Sequence, residues 1–328
     1  MKTSKQIILI LLVVAVLTAA IWFYCPNSHT VLPDEQNLIY NNGFQIQEKQ
    51  YIQLLFVGDL MFDREVRLHA QKGGSNEFIF EKITPVLLEN DLVVANLEGP
   101  ITDAKSMSIT AGPTQPESIT FTFDPSLAKT LYNQNIRLVD LGNNHILNFG
   151  KSGVDITEKY LTEAKVDYFG VPEKKESIIK EIGGIKIAFV SYNYYEFRGD
   201  LAKAKKATND EIIKVKPLSD IVVVFCHWGE EYKFKNNAEQ KDLAYKFIDA
   251  GADLIIGSHP HVIQNVEEYN GKKIYYSLGN FIFDQDFNED VKKGLGVVVR
   301  IDKTTKNLEF VEKHFYTESN GQAIEEAE

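Results

Sequence analysis

Hydrophobic positions along this 328-residue chain fall into short continuous runs, separated by stretches in which apolar residues recur every three or four places. Ile52 to Val57, Leu92 to Asn96, Arg137 to Leu141, Lys186 to Ser191, Ile221 to Cys226 and Leu254 to Ile256 are short runs rich in Ile, Val and Leu, which predicts strands. Ile79 to Glu89, Pro125 to Gln134, Ser152 to Ala164 and Ala238 to Ala250 carry helical spacing, and Gly251 supplies a stop for the last of them. The alternation predicts an α/β sheet with helices on its faces. After Gly271 the order changes. Lys273 to Leu278, Gly296 to Ile301 and Leu308 to Phe315 follow one another without helices, which predicts added antiparallel strands. Asp103 to Thr120, rich in Ser, Thr, Pro and Gly, is the longest interior loop and reads equally as a border of the functional site or as plain surface.

The N-terminus has its own pattern. Lys2 and Lys5 precede an uncharged apolar stretch from Gln6 to Tyr24, long enough to cross a bilayer core. A retained anchor and a cleaved signal peptide both begin this way, but Trp22, Phe23 and Tyr24 stand where small residues would precede a cleavage site, which favours the anchor. The same aromatics count against a lipoprotein at Cys25. The lysines then face the cytoplasm and the body lies outside it. The expected organisation is a cytoplasmic tip at 1–5, a transmembrane signal anchor at 6–24, a polar stalk at 25–50, a folded domain at 51–316 and an acidic, disordered tail at 317–328.

Composition narrows the function. An apolar content of 44% leaves room for a large core. A formal net charge of −11, with no Lys/Arg-rich run outside short helical stretches, argues against a nucleic-acid-binding surface, because phosphate contact calls for a basic face. Cys25 and Cys226 are too few and too far apart for a disulfide framework. Both thiols are expected to be free, with Cys226 inside a buried strand.

The chemistry lies at the strand ends. Val57-Gly58-Asp59, Asn96-Leu97-Glu98-Gly99, Gly142-Asn143-Asn144-His145, Phe225-Cys226-His227-Trp228-Gly229 and Gly257-Ser258-His259-Pro260-His261 each close a predicted strand. Open α/β sheets gather ligands at the carboxyl ends of their strands, so these groups share one natural meeting place. Oxygen and nitrogen donors without thiolates suit Mn, Fe or Zn better than Ca. A carboxylate bridging two such ions would hold them about 3.5 to 4 Å apart, the spacing that clamps both oxygens of a displacement at phosphorus. Taken singly, Asp59 or Glu98 reads as a turn residue or helix cap, and Trp228 and Tyr232 as pocket walls. Four of the seven histidines at three strand ends form a pattern that packing does not explain. His69, His314 and His29 lack such company.

At these residues the chain resembles the CapA/PgsA family of poly-γ-glutamate capsule biosynthesis proteins, within the calcineurin-like metallophosphoesterase superfamily. The matching stretches are Gly58-Asp59-Leu60-Met61 with Arg64, Asn96 to Thr102, Asn143-Asn144-His145, His227 to Tyr232, Gly257 to His261 and Tyr276 to Phe281. The resemblance implies two packed β-sheets flanked by helices, with metal ligands in the loops. It implies Asp59, Glu98, Asn144, His227, His259 and His261 as metal ligands, with Glu98 in place of a bridging Asp and Asn96 as a second candidate beside it. Asn144 and His145 take the catalytic positions, His145 as the histidine that assists the leaving group. Met61 stands where the superfamily has a histidine ligand, and Asn148 where the family has an Asp that orients His145. One or two divalent ions (Mn, Fe or Zn) are implied.

The same resemblance implies a role in making, exporting or anchoring poly-γ-glutamate, as an accessory of a membrane synthase complex. The anionic polymer would be met through bound cations or local groups such as Arg64, with Trp228 and Tyr232 lining the site. Two activities remain open: a metal-dependent hydrolase, acting in capsule synthesis or on another envelope phosphoester, and a noncatalytic subunit whose metal binds polymer carboxylates.

Overall fold

The computed structural model describes residues 38–41, 45–112, 114–195 and 200–326. The proposed anchor at 6–24 lies outside them, and among the described residues no helix is long and apolar enough to cross a membrane. Two units are distinguished, one ending at Lys49 and the other spanning Gln50–Glu328. Within the stretch read as a stalk, β1 (Leu38–Asn41) and β2 (Gln45–Glu48) form an antiparallel ladder.

The larger unit is a mixed α/β assembly of two sheets flanked by helices. The strands are β3 (Tyr51–Leu60), β4 (Leu92–Leu97), β5 (Ile136–Asp140), β6 (Asp167–Phe169), β7 (Ser177–Ile182), β8 (Ile185–Asn193), β9 (Ile221–His227) and β10 (Leu254–Ser258). They continue with β11 (Val266–Tyr269), β12 (Lys272–Tyr275), β13 (Asn280–Ile282), β14 (Lys293–Asp302), β15 (Leu308–Thr317) and β16 (Ala323–Glu325). The first sheet runs β16-β15-β14-β3-β4-β5-β6, with β13 paired to the end of β3; the second runs β11-β12-β10-β9-β8-β7.

Alternation along each central strand explains why the sheets stack. In β3, Ile52, Leu54 and Phe56 face the second sheet, while Leu55 and Val57 face helices. In β9, Ile221, Val223 and Phe225 meet them across the seam, while Val222, Val224 and Cys226 face the opposite helical layer. Strands covered on both sides must be apolar at every position, which is why they read as unbroken runs. Cys226 is a buried, free thiol.

The helices are α1 (Arg64–Gly73), α2 (Glu77–Phe80), α3 (Thr84–Leu88), α4 (Ser126–Asn133), α5 (Gly150–Ala164), α6 (Leu201–Val215) and α7 (Ala238–Ala250). The single helix expected over Ile79 to Glu89 is two short ones. Pro85 lacks an N–H and so stands only in the first turn of a helix that restarts at Thr84. The strands after Gly271 are not all antiparallel additions: β14, β15 and β16 are, but β12 runs parallel to β10.

The C-terminal stretch read as disordered contains β16, which pairs with β15. Glu318 meets Lys82 and Glu325 meets Lys313, each at 2.5 Å, and Gln322 donates to the Phe78 carbonyl at 2.9 Å.

Candidate metal centre

The two sheets divide the donor chemistry between them. Asp59 ends β3, Glu98 follows β4, and Asn143 to His145 follow β5, all on the first sheet; His227 ends β9, and His259 and His261 follow β10, on the second. The groups meet at the seam. Two residues with positive φ, His259 (92°) and His261 (57°), turn the loop after β10 back across it. Non-glycine residues in that region cost on the order of 1–3 kcal/mol each and persist where the surroundings dictate them.

Asp59 and Glu98 are wholly buried. The Asn96 amide donates to Asp59 Oδ1 at 2.7 Å, and the His259 backbone N–H to Asp59 Oδ2 at 3.2 Å. Glu98 Oε1 has no hydrogen-bond partner, yet His261 Nε2 lies 3.6 Å and His145 Nε2 3.9 Å from it. Burial drives the Glu98 carboxyl well above the usual carboxylate range, and Asp59 beside it pushes the same way. Burial opposes a charge on His261, but Glu98 and Asp59 prevail and raise its imidazole to about 9.

The other three imidazoles are held neutral, chiefly by burial and with His261 adding to it: His259 falls to about 3, His145 to about 4, and His227 well below the ordinary value. Neutral imidazoles keep a lone pair available to a cation. His227 Nε2 sits 2.9 Å from Asn144 Oδ1, with Nδ1 3.1 Å from Ser258 Oγ. His259 Nε2 lies 2.8 Å from the Tyr195 hydroxyl, while its Nδ1 is buried without a partner.

Among the described residues, two groups place ligand atoms within 4.8 Å of one another: Asp59, Glu98 and His261, and Glu231, His259 and His261. Orphaned atoms at Glu98 and His259, paired buried carboxylates and three neutral imidazoles fit a divalent ion. Donor atoms that share an ion at about 2.1 Å stand about 3 to 4 Å apart, as several of these do.

The remaining predicted residues fall around this set. Asn96 orients Asp59, and Asn143 ties the β5 loop to β4, donating to Asn96 Oδ1 at 3.0 Å and the Leu97 carbonyl at 2.8 Å. His145 rests on Phe121 with ring centroids 4.4 Å apart, and its Nδ1 lies 3.2 Å from Asn148 Oδ1. Because that oxygen also accepts from the Phe121 N–H at 2.8 Å, His145 Nδ1 is the donor and Nε2 carries the lone pair. Arg64 forms a two-point pair with Asp284 and stacks over Phe121 at 5.0 Å. Tyr232 stands at the rim, 6.2 Å from His261 by ring centroid, and accepts from Gln285 at 3.0 Å.

Trp228 is buried, donating to the Tyr276 carbonyl at 2.9 Å, and borders a cavity of about 300 Å³ with Tyr194, Tyr195, Glu230 and Leu243. Met61 is packed in the apolar core, its sulfur accepting from the Asp63 N–H at 3.0 Å. The Asp103 to Thr120 loop reaches the site: the Ser118 carbonyl lies 3.5 Å from Arg64.

Sequence reasoning missed Tyr195 and Glu231. Tyr195 follows β8, whose end bore no charged or imidazole group to flag it. Glu231 sat inside a recognised stretch but next to a second, indistinguishable Glu. For Asn280 the sequence leaves open a hydrogen bond near the site, with packing the simpler reading; its Oδ1 is 2.9 Å from His261 Nδ1. The Tyr276 to Phe281 segment runs across the seam. A Cβ on Gly58 would lie 1.9 Å from the Gly279 carbonyl oxygen and one on Gly257 2.0 Å from that of Tyr276, so both positions demand glycine.

Fold and site together define a two-sheet α/β protein with a carboxylate, amide and imidazole cluster at the strand ends. The chain belongs to the bacterial capsule synthesis protein PGA_cap family, whose model matches residues 53–285. It is 33% identical over 244 residues to the PGA biosynthesis protein CapA of Bacillus subtilis, covering 70% of this chain and 63% of that one. It is 29% identical over 305 residues to the capsule biosynthesis protein CapA of Bacillus anthracis, covering 87% and 70%. A hypothetical protein from Thermus thermophilus shares the fold, with a TM-score of 0.51 and 17% identity over 84% of this chain and all of that one.

Proposed function

We propose that this chain is a membrane-anchored, extracytoplasmic protein of poly-γ-glutamate capsule synthesis, export or anchoring, built on a metallophosphoesterase-type metal centre. The observation that carries the reading is the buried meeting of Asp59, Glu98 and His261 with His227, His259 and Asn144. Such a set without a cation leaves two buried carboxyl groups side by side and unpartnered atoms of Glu98 and His259 in the interior. Asp59, Glu98, Asn144, His227, His259 and His261 would hold Mn, Fe or Zn. When bound, such an ion supplies Lewis acidity and makes water nucleophilic at neutral pH.

The chain's own groups set the rest. Arg64, fixed by Asp284 beside Phe121 and His145, offers a cationic edge to a phosphate or carboxylate. His145 is neutral and presents Nε2 as an acceptor, so an acid role needs a negatively charged substrate to raise its pKa. Asn148, unlike an Asp, adds no charge to do so. Met61 and Asn148 favour the second reading, in which the ion binds polymer carboxylates without turnover.

The full chain, purified without chelator and offered Mn²⁺, Fe²⁺ or Zn²⁺, should carry bound metal by elemental analysis, with occupancy lowered by His259→Ala or His261→Ala. Metal-free wild type would sink both readings. Hydrolysis of a phosphodiester by the loaded protein separates enzyme from assembly subunit. Protease added to intact protoplasts should remove the domain; full protection would sink the topology.

A further inference from the structure

We propose that Glu231 is a metal ligand, supplying from the loop after β9 the donor that Met61 withholds. The inference rests on the metal-centre reading above and adds a residue to it. Met61 cannot serve, because its side chain is sequestered in the core and its sulfur is engaged by the Asp63 N–H. On the solvent side of the histidine pair, Glu231 brings a carboxylate oxygen to within 4.8 Å of ring nitrogens of both His259 and His261. One of those rings carries the buried, partnerless Nδ1 of His259. A His259 ring that has one nitrogen without a protein partner and also approaches the Glu231 carboxylate is what a cation shared by Glu231, His259 and His261 would explain.

The loop is held at several points. Tyr232, with φ of 62°, donates its N–H to the Pro260 carbonyl at 2.8 Å, tying Glu231's neighbour to the residue between the two histidines. The Gln264 amide donates to the Lys233 carbonyl at 2.8 Å and the Lys235 carbonyl at 3.3 Å, and Gln285 reaches the Tyr232 hydroxyl at 3.0 Å. These bonds hold the residues next to Glu231 and so limit where its carboxylate can stand. Glu230, one residue earlier, instead lines the cavity beside Trp228 and Leu243. The two acids carry the same charge and differ in what they face, so Glu230 is the internal control.

The test uses the full chain, stripped of metal and titrated with Mn²⁺ and Zn²⁺ by calorimetry, with Co²⁺ absorption reporting on coordination. Loss of outer partners of a metal ligand lowers affinity about 10–100-fold, so Glu231→Gln should cost at least about tenfold at one ion and shift the Co²⁺ bands. Glu230→Gln removes the same long-range charge but no atom of the Glu231, His259 and His261 group, so it should change neither. Equal behaviour of the two variants, in a wild type that binds metal, overturns the assignment of Glu231 and leaves the metal centre standing. A wild type that takes up no metal overturns both.

Discussion

Asn280 Oδ1 lies 2.9 Å from His261 Nδ1, and this hydrogen bond fixes which nitrogen of His261 faces Glu98. With Nδ1–H committed to the amide oxygen, Nε2 is turned toward Glu98 Oε1, 3.6 Å away. Asn280 is itself held through Nδ2 by Gln285 at 3.0 Å and the Val291 carbonyl at 2.8 Å. Asn280→Ala should therefore weaken metal binding by about 10–100-fold, measured by titration calorimetry. Unchanged affinity would mean that the bond is incidental.

His145 separates binding from turnover. Its Nε2 is 3.9 Å from Glu98 but it belongs to neither three-residue ligand group. His145→Ala should keep wild-type metal content and, if the protein hydrolyses phosphodiesters, lower kcat by about 10²–10⁴-fold. Loss of metal in this variant would make His145 a ligand.

Gly58→Ala tests the crossing segment. The added Cβ would overlap the Gly279 carbonyl, and backbone on both sides leaves nothing flexible to yield. The expected cost is about 3 kcal/mol or more, read as a lowered thermal midpoint or loss of soluble protein. A midpoint equal to wild type would show that the two strands are not so closely packed.

Asp253 provides a pH prediction far from the metal ligands. Burial opposes its charge, but Lys216 at 2.6 Å, Lys272 at 2.8 Å and the Val222 N–H at 2.9 Å hold its carboxyl below the ordinary value of 3.8. A depressed carboxyl contributes stability that is present above 3.8 and lost as pH falls through the folded value. Asp253→Asn should cost about 1–2 kcal/mol near pH 7, discounted for the half-exposed lysines. That difference should shrink as denaturation is followed below about pH 4; a constant difference would contradict it.

The strand ends were legible because strands covered on both sides leave unbroken apolar runs, and the polar residues just beyond them are conspicuous. The helices were less so. In α6 the buried positions are Ala204, Thr208, Ile212 and Val215, a stripe too thin and too polar to stand out. In α1 only Val66 and Ala70 are buried. Tyr195 and Glu231 were missed for another reason: their roles depend on which loops face one another across the seam. Spacing along the chain does not report that.

The division of donors between the sheets has a consequence for assembly in time. Asp59 and Glu98 stand on one half of the structure and His259 and His261 on the other, the last some 200 residues after the first. A chain that stops short of His261, or whose halves have not docked, holds acids and imidazoles that never meet. The complete donor set thus exists only where the ends of both sheets are brought together. A tightly held ion would report that they have met, and any event that parts the sheets should release the ion before the strands themselves unravel.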